Sequence, residues 1–225
     1  MNIERFWFHH LAVNQKLDGN VVMVDANAAS SNMSVLLSKQ PNHLVVVNEQ
    51  SLSQARDAYP NSVLVGESRS LPENEFSASN HISDIAQVDG KGRNILWMSN
   101  NGSRVFERAI KISRGKILAG AFNNCSALVN FLRSDLSTVY IIMAGNQGDE
   151  VLEDRICGEL IEKRLKGESF DWLTQKEQVA QFLLKYCVGQ KQIYDDLSYL
   201  FNLDQFDIIP GCSINDSGFL EVRKL

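Results

Sequence analysis

The chain has 225 residues, a formal net charge of −5 and 44% hydrophobic residues, the composition of an ordinary globular protein with room for one large domain or two small interlocked ones. The acidic balance and the absence of a Lys/Arg cluster argue against nucleic acid as a partner, and no apolar run approaches the roughly 20 residues of a membrane span. Met1-Asn2-Ile3-Glu4-Arg5 lacks the charged-then-apolar plan of a signal peptide. The four cysteines (Cys125, Cys157, Cys187, Cys212) form no CxxC pair, so the expectation is a cytoplasmic protein with reduced, packed thiols.

Residues 3–13 are apolar and aromatic, interrupted by His9-His10, and read as a first strand at a sheet edge. Neighbouring histidines on a strand point to opposite faces, which favours a structural pair over a shared metal. Val21-Val22-Met23-Val24 reads as a strand buried on both faces, ended by Asp25. Residues 29–39 read as a helix, with Met33, Leu36 and Leu37 at i, i+3 and i+4. Strands follow at 43–47 and 62–65, with a short helix at 52–58 between them; the second strand ends in Gly66-Glu67. Residues 68–80 form a long polar loop containing Pro72, a length that often marks function. Strands at 94–98, 116–119 and 138–143 each run into a helix, ending near Lys111, Leu132 and Leu165. Residues 170–201 are helical, with Leu173, Val179, Phe182, Leu183 and Leu184 at core spacing. Short strands at 206–209, closed by Pro210-Gly211, and at 219–222 complete the chain. Strands alternating with helices imply a mainly parallel sheet covered on both faces.

Polar groups recur just past the strands: Asp25, Glu67, Asn100-Asn101-Gly102, Asn123-Asn124 and residues 145–150. In a parallel sheet such turns share one edge, where open α/β folds bind ligands. Carboxylates with neutral oxygens suit Mg²⁺, which takes few protein ligands and keeps waters and phosphate oxygens. Gly102-Ser103-Arg104 at a helix start offers amides, the helix dipole and a guanidinium fork to an anion. Plainer readings stand beside these: Asp25 and Ser103 as helix caps, Asn-Gly as a turn, and Glu153-Asp154 as acids favoured by a helix dipole. No GxGxxG, GxxxxGK[ST] or GxSxG fingerprint occurs. Cys125 lies at a helix start but lacks a histidine partner and reads as structural.

In their order these turns resemble the 2-phosphosulfolactate phosphatase family of the coenzyme M pathway. That family shows a strand running into Asp-Val-Leu-Arg-Ala-Thr-Ser, and the chain reads Asp25-Ala26-Asn27-Ala28-Ala29-Ser30-Ser31. Its Gly-Glu-Arg turn is similar to Gly66-Glu67-Ser68, and its Gly-Asn-Ser-Pro element to Ser79-Asn80-His81-Ile82. Its Thr-Asn-Gly-Thr-Arg element resembles Asn100-Asn101-Gly102-Ser103-Arg104. Its Gly-Ser-Phe-Leu-Asn-Ala-Ser-Ala element resembles residues 120–127. Its Ala-Gly-x-x-Gly turn with a following Glu-Asp resembles Ala144-Gly145-Asn146-Gln147-Gly148 and Glu153-Asp154. Asp207-Ile208-Ile209-Pro210 resembles the family's last strand. The departures fall where an anion would sit: Asn27 and Ala28 take the place of the first motif's arginine, and Ser68, followed by Arg69, that of the second.

The resemblance implies a three-layer α/β/α fold with mixed, mainly parallel sheets, in which residues 1–225 form one unit of two similar, intertwined halves. It implies a Mg²⁺-dependent phosphatase acting on a small phosphorylated hydroxy acid. Asp25 and Glu67 would be metal-binding or catalytic carboxylates, with Asp154 the next metal ligand and Glu153 after it. Arg104, with Gly102 and Ser103, would hold the phosphate; Asn80, Asn101 and Asn124 would orient substrate oxygens or metal-bound water. A homodimer is the ordinary expectation for such an enzyme. The lost arginines, which Asn and Ser cannot replace as bidentate partners, leave a second reading: a non-catalytic relative that binds an anionic metabolite or a protein.

Overall fold

The computed structural model describes residues 1–12, 14–186 and 192–225. β1 (Ile3–Trp7) ends in a 3-10 turn, Phe8–His10, and β2 (Asn20–Val24) leads into α1 (Ala29–Ser38). β3 (His43–Val47) is followed by α2 (Leu52–Ala58), and β4 (Val63–Gly66) by a loop with a 3-10 turn, Glu73–Glu75, and the short α3 (Ile82–Ile85). β5 (Asn94–Met98) precedes α4 (Gly102–Ile112), β6 (Ile117–Gly120) precedes α5 (Cys125–Arg133), and β7 (Val139–Met143) precedes α6 (Leu152–Lys166). α7 (Trp172–Tyr186) and α8 (Gln192–Leu200) follow, then β8 (Pro210–Ile214) and β9 (Leu220–Lys224). Cys187 lies outside the described residues, as does Val13.

The strands form one sheet in the order β1-β7-β2-β6-β8-β9-β3-β5-β4. β1, β7, β2 and β6 are mutually parallel, as are β3, β5 and β4. Between these blocks stands the β8–β9 hairpin, and the ladders β6–β8, β8–β9 and β9–β3 are all antiparallel. Three reversals in succession set the two blocks running in opposite directions. The chain enters the first block, builds the second with β3 to β5, and returns to the first with β6 and β7.

Helices cover both faces, giving a three-layer α/β/α arrangement. Along β2 the period of two is clean: Val21 and Met23 pack in the core that α1, α3 and α4 share with both blocks. Val22 and Val24 face the opposite way, into the core under α5 to α8. The same alternation in β3 sends Val46 to the shared core and Val45 and Val47 under α2. Residues buried on both faces explain why these strands are near-continuous runs of aliphatic side chains.

Opposed blocks would place the turns after β2 and β4 at opposite edges of a flat sheet. Sheets twist by about 20–25° per strand, so six spacings accumulate on the order of 120–150°, and the order places β4 six strands from β2. Residues just past β2 and β4 line one groove. The expectation of a single parallel edge is corrected to this: two blocks of opposite direction whose post-strand turns share one groove.

Three local expectations also change. The first strand stops at Trp7, and His9 and His10 lie on the 3-10 turn. Their rings meet edge to face with centroids 4.2 Å apart, and they and Glu150 bring ligand atoms within 4.8 Å of one another. The alternation rule for strands does not govern them. Residues 206–209 are not a strand; Pro210 instead opens β8, a position where a missing N–H is tolerated. The hairpin it begins pairs in mid-sheet, a non-local contact with no local signature. Among the described residues, no helix is long and apolar enough to cross a membrane.

Candidate active site

The buried run of β2 delivers Asp25 to the start of α1. The Asp25 N–H donates to Ser30 Oγ at 3.1 Å, and the Ser30 N–H donates back to the Asp25 carbonyl at 3.1 Å, so the turn locks on itself. The carboxylate accepts N–H groups of Ala28 and Ala29, which makes it a partner of the helix start as well as a group facing the site. Its pKa is nonetheless pushed up to about 7. Burial is the largest cause, the charges of Glu153 and Glu67 add to it, and the two amides oppose it only in part.

Asp154, in the first turn of α6, is 2% exposed. Its Oδ1 accepts the Ala26 N–H at 2.7 Å and its Oδ2 the Gly145 N–H at 2.9 Å. It thus ties the turn after β2 to the turn after β7. Burial, then the charges of Asp25 and Glu153, hold its carboxyl well above the usual range. Glu153, beside it, is also buried, and burial raises its pKa. Its Oε2 has no hydrogen-bond partner. The sequence ranks Asp154 above Glu153 as a metal ligand; the structure spends both oxygens of Asp154 on backbone amides and leaves one oxygen of Glu153 open.

Glu67 stands at the exposed end of β4. Gly66 precedes it with φ +114°, a region that L side chains rarely adopt, and a Cβ there would collide with the Met98 carbonyl of the neighbouring strand. The Glu67 N–H donates to that carbonyl at 3.0 Å. Glu67 lines a groove of about 640 Å³ with Asn27, Ala28, Asn80 and Asn100, and its charge acts on Asp25. The two first-choice carboxylates are therefore on the same side of the molecule. Among the described residues, no three of the carboxylates Asp25, Glu67, Glu153 and Asp154 bring oxygens within 4.8 Å of one another.

The amides divide into two kinds. Asn80 Oδ1 accepts from Asn32 Nδ2 at 3.0 Å and lines the groove. Asn101 Nδ2 donates to Asn146 Oδ1 at 2.9 Å, joining the turns after β5 and β7. Asn124 is fully buried and fully used: Oδ1 accepts the Ala121 N–H at 2.9 Å, and Nδ2 donates to the carbonyls of Ala119 and Ile208. Its expected role with substrate is corrected to a structural one. Its neighbour Asn123 donates to the Ser31 carbonyl at 3.2 Å while its Oδ1 stays unpartnered. Asn27 and Asn32 also hold buried, unpartnered Oδ1 atoms. Buried acceptors without donors are uncommon in folded proteins; these lie in the turn after β2, in α1 and in the 3-10 turn after β6.

At α4, the Gly102 amide and the Ser103 hydroxyl expected to meet an anion are engaged within the protein. The Gly102 N–H donates to Ser99 Oγ at 3.1 Å. Ser103 Oγ accepts the Ser99 N–H and donates to the Val47 carbonyl, both at 3.2 Å. Gly102 is required by packing, because a Cβ would stand 2.6 Å from Ala29 Cβ and 2.8 Å from the Trp97 ring. Arg104 is exposed, and its charge acts on Glu49, next to the Ser68 turn. It stands outside the residues lining the groove.

One residue of the groove has no counterpart in the sequence-based set. His81 Nδ1 lies 2.6 Å from Asp196 Oδ2, and both residues line the groove. Asp196 comes from α8, more than a hundred residues away, so no spacing rule joins it to His81. Cys125 is buried and its thiol is pushed up to about 12 by burial, as its structural reading requires.

A groove just past the C-terminal ends of strands is where open α/β folds bind ligands. The family model for 2-phosphosulpholactate phosphatase matches residues 8–213, and the chain belongs to that family. Relatives each called "Probable 2-phosphosulfolactate phosphatase" include one from Thermoplasma volcanium, 24% identical over 87% of this chain and 92% of the relative. Another, from Clostridium tetani, is 26% identical over 86% of this chain and 89% of its own length. A third, from Caldanaerobacter subterraneus subsp. tengcongensis, is 23% identical over 85% and 86%.

Proposed function

We propose that this phosphatase is Mg²⁺-dependent and hydrolyses a small phosphorylated hydroxy acid, 2-phosphosulfolactate by the names of its relatives. The observation that supports the metal is the open Glu153 Oε2 among crowded carboxylates. Burial and neighbouring negative charge raise Asp25 and Asp154 above the usual carboxylate range, and a cation bound beside them would offset both effects. Hard oxygen donors, carboxylate and amide, match Mg²⁺, and one or two direct carboxylates with the rest supplied by water and phosphate is its usual mode. Asp25 and Glu153 would hold the ion directly, and Glu67 would reach it through a bound water. When bound, it would neutralise phosphate oxygens and make an attacking water more acidic.

The chain's own residues do the rest. Asp154 fixes the Asp25 turn against the Gly145 turn, so that the carboxylates keep their spacing. Asn80 and Asn27, on the groove wall, orient substrate oxygens. Asp25, as a ligand of the ion, would orient the water that attacks phosphorus. Its two amide bonds aim it and keep it from rotating away.

A phosphate-release assay on 2-phosphosulfolactate and other phosphorylated hydroxy acids, with Mg²⁺ and with chelator, tests this reading. Metal-dependent release that drops by at least a hundredfold in Asp25→Asn is expected. Inertness over the whole panel, with no Mg²⁺ uptake by calorimetry, would contradict it and leave a ligand-binding relative.

A further inference from the structure

We propose that His81, held by Asp196, is the groove's anion-binding group and grips an oxyanion of the substrate through Nε2. The inference deepens the phosphatase reading and rests on it for the word substrate, but not for the anion.

The charge of the groove poses the problem. Glu67, Glu73, Asp84 and Asp196 line it, and among the described residues lining it His81 is the one basic side chain. A phosphate ester entering those walls meets like charge on every side except there. The expected cation, Arg104, stands outside.

The histidine is built into place. Its Nδ1 lies 2.6 Å from Asp196 Oδ2. Asp196 is 3% exposed, and its Oδ1 accepts both the N–H and the hydroxyl of Ser83, at 3.0 and 2.6 Å. The carboxylate is thereby fixed from two sides, and it fixes the ring. With Nδ1 committed, Nε2 is the ring's remaining polar atom, and a side chain 37% exposed at the groove wall leaves it reachable. An Asp-oriented imidazole presents a defined N–H, as oriented histidines do elsewhere.

The surroundings favour the charged ring. Asp196 from α8, Asp84 from α3 and Glu67 after β4 all stabilise the imidazolium, against a smaller cost of burial. Asp195 of α8 and Glu73 add negative charge nearby, along grooves that His81 lines. The neighbouring Asn80 is bound to Asn32 of α1, the helix that Asp25 begins. The anion at His81 would thus lie close to the carboxylate cluster.

The competing role is a latch, since the same contact joins α8 to the loop before α3. Sulfate distinguishes the two, because its charge is fixed where histidine titrates. Its binding would be followed by calorimetry and by the His81 ring signals in NMR, for wild type, His81→Ala, His81→Gln and Asp196→Asn, without turnover. Wild-type affinity should weaken as pH rises through the imidazolium's titration. It should fall at least tenfold in His81→Ala and His81→Gln and lose that pH dependence in both. In Asp196→Asn the midpoint of the profile should move to lower pH. Melting temperatures establish that each variant is folded, and His81→Gln keeps a neutral hydrogen-bonding side chain if alanine does not fold. Sulfate binding unchanged in a folded His81→Gln, wild-type binding independent of pH, or no sulfate binding by the wild type would overturn the proposal. In the phosphate-release assay His81→Gln should raise KM at least tenfold with a smaller change in kcat. A wild type that binds sulfate through His81 but hydrolyses nothing sinks the phosphatase reading alone; active enzyme with an unchanged KM in His81→Gln sinks this one alone.

Discussion

Replacing Asp25 with asparagine should stabilise the protein while abolishing its activity. The carboxyl titrates at about 7 in the folded chain against an ordinary 3.8. Its folded pKa is raised, so the proton binds the native state more tightly than the unfolded one. Stability is therefore highest at low pH and falls as pH rises from about 4 to about 7, after which the loss is complete. At 1.36 kcal/mol per pH unit the full cost is about 4 kcal/mol, with roughly 2–3 of that accruing between pH 5 and pH 8. Asparagine carries no charge, keeps an oxygen for the Ala28 and Ala29 amides, and relieves Asp154 and Glu153 of one repelling neighbour. Urea denaturation in chelator, at pH 5 and pH 8, measures the difference. The variant's advantage should grow by about 2–3 kcal/mol between those values, with the m-value unchanged. An advantage that is flat with pH, or a variant less stable than wild type at pH 8, would refute the claim that Asp25 is held in a repulsive, buried cluster.

Asp154→Ala removes the acceptor of the buried Ala26 and Gly145 amides and should cost about 2–4 kcal/mol by urea denaturation; an unchanged midpoint would show that the two turns do not depend on it. Gly102→Ala forces a methyl against Ala29 and Trp97 and should cost about 1–3 kcal/mol, read as a lowered melting temperature. The His81–Asp196 pair contributes stability that is full below the ordinary histidine value of 6.5 and fades as pH rises through the raised folded value. Thermal scans of wild type and His81→Gln should therefore converge at alkaline pH and separate below neutrality.

Much of the fold is legible because the strands are short aliphatic runs bounded by polar turns. The strands at 43–47 and 94–98 and the helix at 52–58 fall where local pattern places them. Asp25 and Glu67 are legible for the same reason: each interrupts an apolar run abruptly. What local pattern misses is non-local. The β8–β9 hairpin pairs with β6 and β3 from the end of the chain, and it alone reverses one block against the other. Asp196 reaches His81 across 115 residues, so neither residue carries a local sign of the pair. Gly102 and Ser103 look like an anion cradle in sequence, because a tightly packed helix start and an empty one share the same residues. Asn123 and Asn124 are indistinguishable until the Ala119, Ala121 and Ile208 backbone claims the second of them.

The most direct test of the carboxylate site is a Mg²⁺ titration by calorimetry at pH 8, on wild type, Asp25→Asn and Glu153→Gln. One Mg²⁺ should bind the wild type, with both variants weakened at least tenfold. Binding of equal strength in all three proteins, or no binding to the wild type, would contradict the assignment of Asp25 and Glu153 to a metal-dependent phosphatase centre.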